Sequence, residues 1–132
     1  MKLQPDRFEV QSVNAYGQGW LALNGERIEH SVVFGSHGER FDWQCDAFES
    51  LTAEHFEAIA ALRPEVVVFG SGDTLRFLRP SVLRPLIAAG IGVETMDSAA
   101  ACRTYNILAN EDRHVVGAIL IAPPAAPGAP SA

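Results

Sequence analysis

Apolar and polar positions along this chain change their period about a third of the way in, and that change predicts the order of its elements. Phe8–Val13 alternates apolar and polar residues, as a half-exposed strand does. Ala15–Gly19 reads as a turn. Trp20–Leu23 and Ile28–Phe34 flank Asn24-Gly25, a strong hairpin signal because both turn residues accept a positive φ. A second turn at Ser36–Glu39 leads into Phe41–Gln44, which alternates again. The first third is therefore predicted to be an antiparallel β-meander.

From Thr52 onward the spacing is helical. Thr52 is placed as an N-cap with Glu54 in the first turn, Phe56, Ile59 and Ala60 share a face, and Arg63-Pro64 ends the segment. The run Glu65–Phe69 has no alternation, so it is predicted to be a strand buried on both faces, as in a parallel sheet covered by helices. Ser81 is read as the cap of a helix that turns Leu83, Leu86 and Ile87 inward and stops at Gly90. Pro85 fits such a helix only within its first turn. Ile91–Met96 is the next strand. Asp97 caps a helix running to about Ala109 with Ala101, Tyr105 and Leu108 on one face, and Val115–Ala122 is the final strand, its direction open. Two β–α–β units at this spacing call for parallel pairing with right-handed crossovers. The fold class expected is α/β, a layered sandwich in which the meander precedes βαβαβ units and a mainly parallel central sheet. Residues 1–122 are expected to form a single domain, and the Pro/Ala-rich stretch from Pro123 a disordered tail.

Composition narrows the function classes. With 132 residues, 48% of them hydrophobic, the chain is long enough to bury a core without disulfides. Its two cysteines, Cys45 and Cys102, are far apart and fit a reducing compartment. A net charge of −6 argues against nucleic-acid binding. No signal-peptide apolar core and no run approaching roughly 18 apolar residues is present, so a soluble cytoplasmic protein, not integral to a membrane, is expected. Charge is uneven: between Glu39 and Glu65 seven acidic residues face only Arg40 and Arg63, a net of −5, whereas Arg76, Arg79 and Arg84 against Asp73 give +2. Such a division suits either two solvated faces or a polarised docking surface.

Candidate chemistry centres on Gly70-Ser71-Gly72-Asp73, at the carboxyl end of the buried strand, where open α/β sheets place their crevices. The loop is neither a dinucleotide fingerprint, since position 75 is Leu75, nor a P-loop. Asp73 would repel a phosphate, although Arg76 and Arg79 could offset it. Equally, Asp73 and Thr74 can cap the turn while the glycines permit the bend. Asp97, Cys102, Tyr105 and Asn106 lie on the following helix. Cys102 is either a thiol near a helix N-terminus or a small buried core residue. The histidines have no metal-ligand spacing, and His37 and His114 are read as exposed loop or strand-start residues rather than ligands. Asp42 with Asp46, and Glu54 with Glu57, imitate carboxylate pairs but suit solvated positions. Trp20, Phe41 and Trp43 could form a stacking platform or, more simply, a β-layer core. No catalytic residue, cofactor or metal is assigned.

From Val66 to Pro124 the chain resembles the family of small domains of long-unknown function that includes mitochondrial complex I assembly factor 3. The resemblance is carried by the Gly70–Asp73 loop, the Gly-Ile-x-Val-Glu strand at Gly90–Glu94, and the run Asp97…Ala101-Cys102…Thr104-Tyr105-Asn106-x-Leu108. The closing strand ending Pro123-Pro124 completes it. It implies an α/β layered fold with an added β layer and a role in building respiratory complex I without established catalysis. Lacking a recognisable mitochondrial transit segment, the chain is read as a free-standing bacterial member. Two functions follow as expectations. One is a non-enzymatic interaction or assembly domain with respiratory-complex subunits or assembly proteins as partners. The other is a small-molecule binder or enzyme using the crevice at Gly70–Asp73, with Ser71, Gly72, Arg76, Asp97, Cys102, Tyr105 and Asn106 nearby.

Overall fold

The structure, a computed structural model, describes residues 10–122. The start of the predicted first strand at Phe8 and the tail from Pro123 lie outside those residues. The elements are β1 (Val13–Gly17), β2 (Trp20–Leu23), β3 (Glu26–Ile28), β4 (Val32–Gly35), β5 (Arg40–Asp42), α1 (Ala53–Ala60), β6 (Val66–Gly70), α2 (Pro80–Ala88), β7 (Gly92–Met96), α3 (Ser98–Asn110) and β8 (Val115–Ile119). Strands β1-β2-β3 form a small antiparallel sheet. The larger sheet has the order β5-β4-β8-β6-β7, with β8, β6 and β7 parallel and β4 and β5 extending it antiparallel.

β6 is why the sheet is buried on both sides. Val66 and Val68 point to one core with α3 and the small sheet, and Val67 and Phe69 point to the other with α1 and α2. A continuous apolar run is what a strand between two helical layers requires. The final strand, whose direction the sequence left open, runs parallel to β6 and antiparallel to β4.

Four sequence boundaries are corrected. β1 begins at Val13 and extends through the predicted turn, because residues 11 and 12 are spent on side-chain and loop contacts rather than on a ladder. Ile28–Phe34 is two strands, since the chain leaves the small sheet after Ile28 and enters the large one at Val32. Ser31 marks the crossing: its hydroxyl donates to Ile121 O (3.3 Å) and accepts the Ile121 N–H (2.9 Å). The first third is thus a three-stranded meander followed by a hairpin belonging to the other sheet. The third correction is α2. It starts at Pro80 after Arg79, so Pro85 sits well past the first turn and Ile87 is 59% exposed. The helix tolerates Pro85 because Pro80 is pre-set for the first turn and because its end is firmly closed. There Gly90 N–H bonds Ile87 O (3.0 Å) and Ile91 N–H bonds Leu86 O (2.9 Å), a Schellman ending that seats Leu86 and Ile91 in one core. The fourth is β8, which ends at Ile119.

Other local readings hold. Asn24 and Gly25 have φ of 51° and 84°, as the hairpin requires. Asp97 accepts the Ala100 N–H at 2.8 Å and starts α3. Thr52 precedes α1, and its N–H donates to His55 Nδ1 (3.0 Å), while His55 Nε2 donates to Gln44 O (2.9 Å).

Candidate functional site

A crevice of about 340 Å³ opens where the carboxyl ends of β6 and β8 meet the β1–β2 turn and the start of α3. Gly72, Asp73, Asp97, Ser98 and Cys102 line one side, and Trp20, Leu21 and Ile119 supply apolar wall. Two carboxylates at its lip disfavour an anionic occupant and suit a neutral group, a cation or a peptide segment.

Two serine hydroxyls build the loop below this crevice. Ser98 Oγ accepts the Gly72 N–H (2.9 Å) and donates to Leu120 O (2.8 Å), tying α3 to β6 and to the end of β8. Ser71 Oγ accepts the Arg76 N–H (3.0 Å) and donates to Thr74 O (2.7 Å). Gly72 has φ of 104°, a conformation open to glycine at no steric cost. Gly70 is glycine for another reason: a Cβ there would lie 2.9 Å from Ser98 Cα and 3.2 Å from Ala101 Cβ.

The residues singled out from sequence divide into three groups. Gly72, Asp73, Asp97 and Cys102 line the crevice, with Gly70 and Ser71 buried beneath it. Arg76 turns away, pairing with Glu49 (2.8 Å) and lying 4.5 Å over the Phe48 ring, so the acidic stretch and the arginine cluster meet there. Tyr105 and Asn106 face the small sheet. Tyr105 is fully buried, edge-on to Phe34 at 4.7 Å, and donates to Gln11 O (2.8 Å). The Asn106 amide holds Val13, accepting its N–H (2.9 Å) and donating to its carbonyl (2.8 Å). Trp43 is core, edge-on to Phe56 and Phe69, whereas Trp20 lies at the crevice under the Arg27 guanidinium (4.3 Å).

Cys102 is 2% exposed, and burial pushes its thiol from an ordinary 9.0 up to about 12, with Arg103 opposing. Burial likewise pushes the Tyr105 hydroxyl upward, helped by the charge of Glu39. Below the ordinary thiol value, folded and unfolded chains both keep the Cys102 proton. Between 9.0 and about 12 the unfolded chain alone releases it, so the stability tied to the neutral thiol is lost as pH rises through that window. Native Cys102 is therefore expected to resist iodoacetamide near neutral pH and to react once the chain is denatured. Mass spectrometry showing fast labelling of the native protein would contradict this.

A second cluster was invisible in the sequence. Nitrogen and oxygen donors of His37, Glu39 and His114 lie within 4.8 Å of one another. His114 Nε2 and Glu39 Oε2 are hydrogen-bonded across 75 positions of chain, and the His37 and His114 rings stack at 3.8 Å. The three come together because β4 pairs antiparallel with β8, bringing the β4–β5 turn beside the residue that precedes β8. No spacing along the chain announces that.

The profile of a family described as "Protein of unknown function (DUF498/DUF598)" matches residues 13–120. The chain belongs to that family. Its resemblance to bovine NADH dehydrogenase (ubiquinone) 1 alpha subcomplex assembly factor 3 amounts to 36% identity over 121 residues, 85% of this chain and 61% of the bovine protein. The chain thus spans less than two thirds of that relative. A Francisella tularensis protein named 13 kDa major membrane protein is 29% identical over 118 residues, 87% of this chain and 95% of that one. Among solved structures, a Bordetella parapertussis protein superposes with a TM-score of 0.81 at 41% identity, covering 85% of this chain and 96% of its own. The DUF498/DUF598 family therefore carries this layered α/β fold. Among the described residues of this member no helix is long and apolar enough to cross a membrane.

Proposed function

We propose that this chain is a non-enzymatic assembly domain that acts by protein contact in the cytoplasm and contributes to the biogenesis of respiratory complex I. The observation that carries the reading is the segment leaving the crevice. Directly after Gly72-Asp73 it holds Leu75 and Phe77 out in solvent, 51% and 71% exposed. Large apolar side chains beside a polar lip are the composition of an interface anchor. Relatives named for complex I assembly supply the partner class. Affinity capture from native cytoplasm tests it, comparing the unaltered protein with Phe77→Ser and Asp73→Ala. Respiratory-complex subunits should be retained by the first and lost or reduced with the variants. A bait that retains no such subunit, or that is found only with membranes, would overturn the reading.

The crevice itself favours a second reading, a small-molecule site, because about 340 Å³ lined by apolar walls and two carboxylates is within the range of ligand pockets. A thermal-shift screen of neutral and cationic metabolites separates the two. A ligand lost on Cys102→Trp, which fills the crevice floor, would support it, and a screen without any shift would count against it.

A further inference from the structure

We propose that His37, Glu39 and His114 form a binding site for a first-row divalent transition-metal ion such as Zn²⁺. The site lies at the amino end of β8, whereas the crevice lies beyond its carboxyl end, so it is independent of the function proposed above.

The donor set names the class of ion. Two imidazoles and one carboxylate make the three-ligand arrangement that holds zinc and leaves a position for water or a further ligand. Imidazole nitrogen favours zinc, copper, nickel and iron over magnesium or calcium, which prefer oxygen alone. Ligand atoms around a tetrahedral zinc ion stand roughly 3.4 Å apart, given bonds of about 2.0–2.2 Å. Donors within 4.8 Å must therefore close by about an ångström or somewhat more.

The framework lets one residue make that adjustment while the other two stay fixed. Glu39 and His114 side chains are each 15% exposed. Glu39 sits on a turn that Gln11 clamps, its amide donating to Gly35 O (2.8 Å) and Glu39 O (2.7 Å). A Cβ at Gly35 would run into the Glu39 carboxylate, so glycine keeps that position open. Ser36 stitches the same turn to the β8 side: its hydroxyl donates to Arg113 O (2.7 Å) and accepts the Val115 N–H (3.0 Å). His114 is held from behind by its N–H on Glu65 (3.3 Å). His37 is exposed beside Gly38 and can leave the stack, turning the in-plane lone pair of its ring toward the ion.

Neighbouring charges do not oppose a cation. Arg113 is paired with Glu65 at 3.4 Å and Arg40 with Glu26 at 2.9 Å, so neither takes up the Glu39 carboxylate. On binding, the ion replaces the proton between His114 Nε2 and Glu39 Oε2, and that proton passes to solvent.

The experiment uses protein without a polyhistidine tag. Zn²⁺ uptake is measured by competition with a chromophoric chelator, and Co²⁺ is used for the visible ligand-field spectrum. A single saturable site per chain is expected, weakened about tenfold or more in His37→Ala and in Glu39→Gln. His37 is exposed, so its variant should keep the native circular dichroism and isolate the ligand effect. His30→Ala, altering the exposed pair His30–Asp42, should leave binding unchanged. Absence of saturable uptake, equal uptake by wild type and His37→Ala, or loss with His30→Ala instead would each overturn the proposal.

Discussion

Replacing Phe69 by alanine is expected to destabilise the protein by about 3–5 kcal/mol, near the upper end for a core aromatic. Phe69 is fully buried on β6, edge-on to Trp43 (6.1 Å) and Phe56 (5.8 Å) and tilted against Phe48 (6.4 Å). Trp43 and Phe56 are also edge-on to each other, at 5.4 Å, so one truncation removes a shared partner from several ring contacts. Collapse into the gap is obstructed. β6 is bonded to β8 on one side and β7 on the other, and the Trp43 indole is held by its N–H on His55 O (3.3 Å). Urea denaturation should show a lower midpoint with the slope unchanged, because the surface exposed on unfolding hardly differs. Phe48→Ala, at a half-buried ring, is the control and should cost distinctly less. Equal losses at the two positions would contradict this account of the core.

The second large effect is expected at Gly70. Gly70→Ala should cost about 1–3 kcal/mol, and Gly70→Val more, because the added atoms meet backbone rather than a yielding side chain. Ser98 Cα stands 2.9 Å from the new Cβ, and α3 cannot withdraw without stretching the Ser98 bonds to Gly72 and Leu120. The strain would therefore spread to the floor of the crevice. Ser98→Ala provides the contrast, removing both bonds while relieving the crowding. In Gly70→Ala combined with Ser98→Ala the losses should be less than additive. A double-mutant cycle with strictly additive losses would show that the two positions do not push on each other.

Legibility followed the range of the interactions. β6, the Asn24-Gly25 turn and the Asp97 cap were readable because each is decided within a few residues by burial, positive φ or an exposed N–H. Ile28–Phe34 was misread as one strand because the sequence is apolar enough throughout. Its break at Ser31 is set by Ile121, a partner ninety positions away. Pro85 was misplaced for a related reason, since the firm ending at Gly90 lies beyond the window in which a proline is judged. At the candidate sites, the crevice was foreseeable from the glycine loop, but the parts played by its residues were not. Asn106 and Tyr105 look like site residues in one dimension and serve β1 and Gln11 in three. His37, Glu39 and His114 needed the β4–β8 pairing before they could be seen as one group.

The Asn106 amide has one further consequence. A strand at the border of a sheet offers its main chain to any passing strand, including that of another copy. At Val13 that offer is withdrawn, because both main-chain groups are already taken by a side chain that imitates the neighbour a strand would have. The small sheet thus has a stopper at its first rung, and recruitment of a second chain by strand addition would have to begin further along, past Asn14.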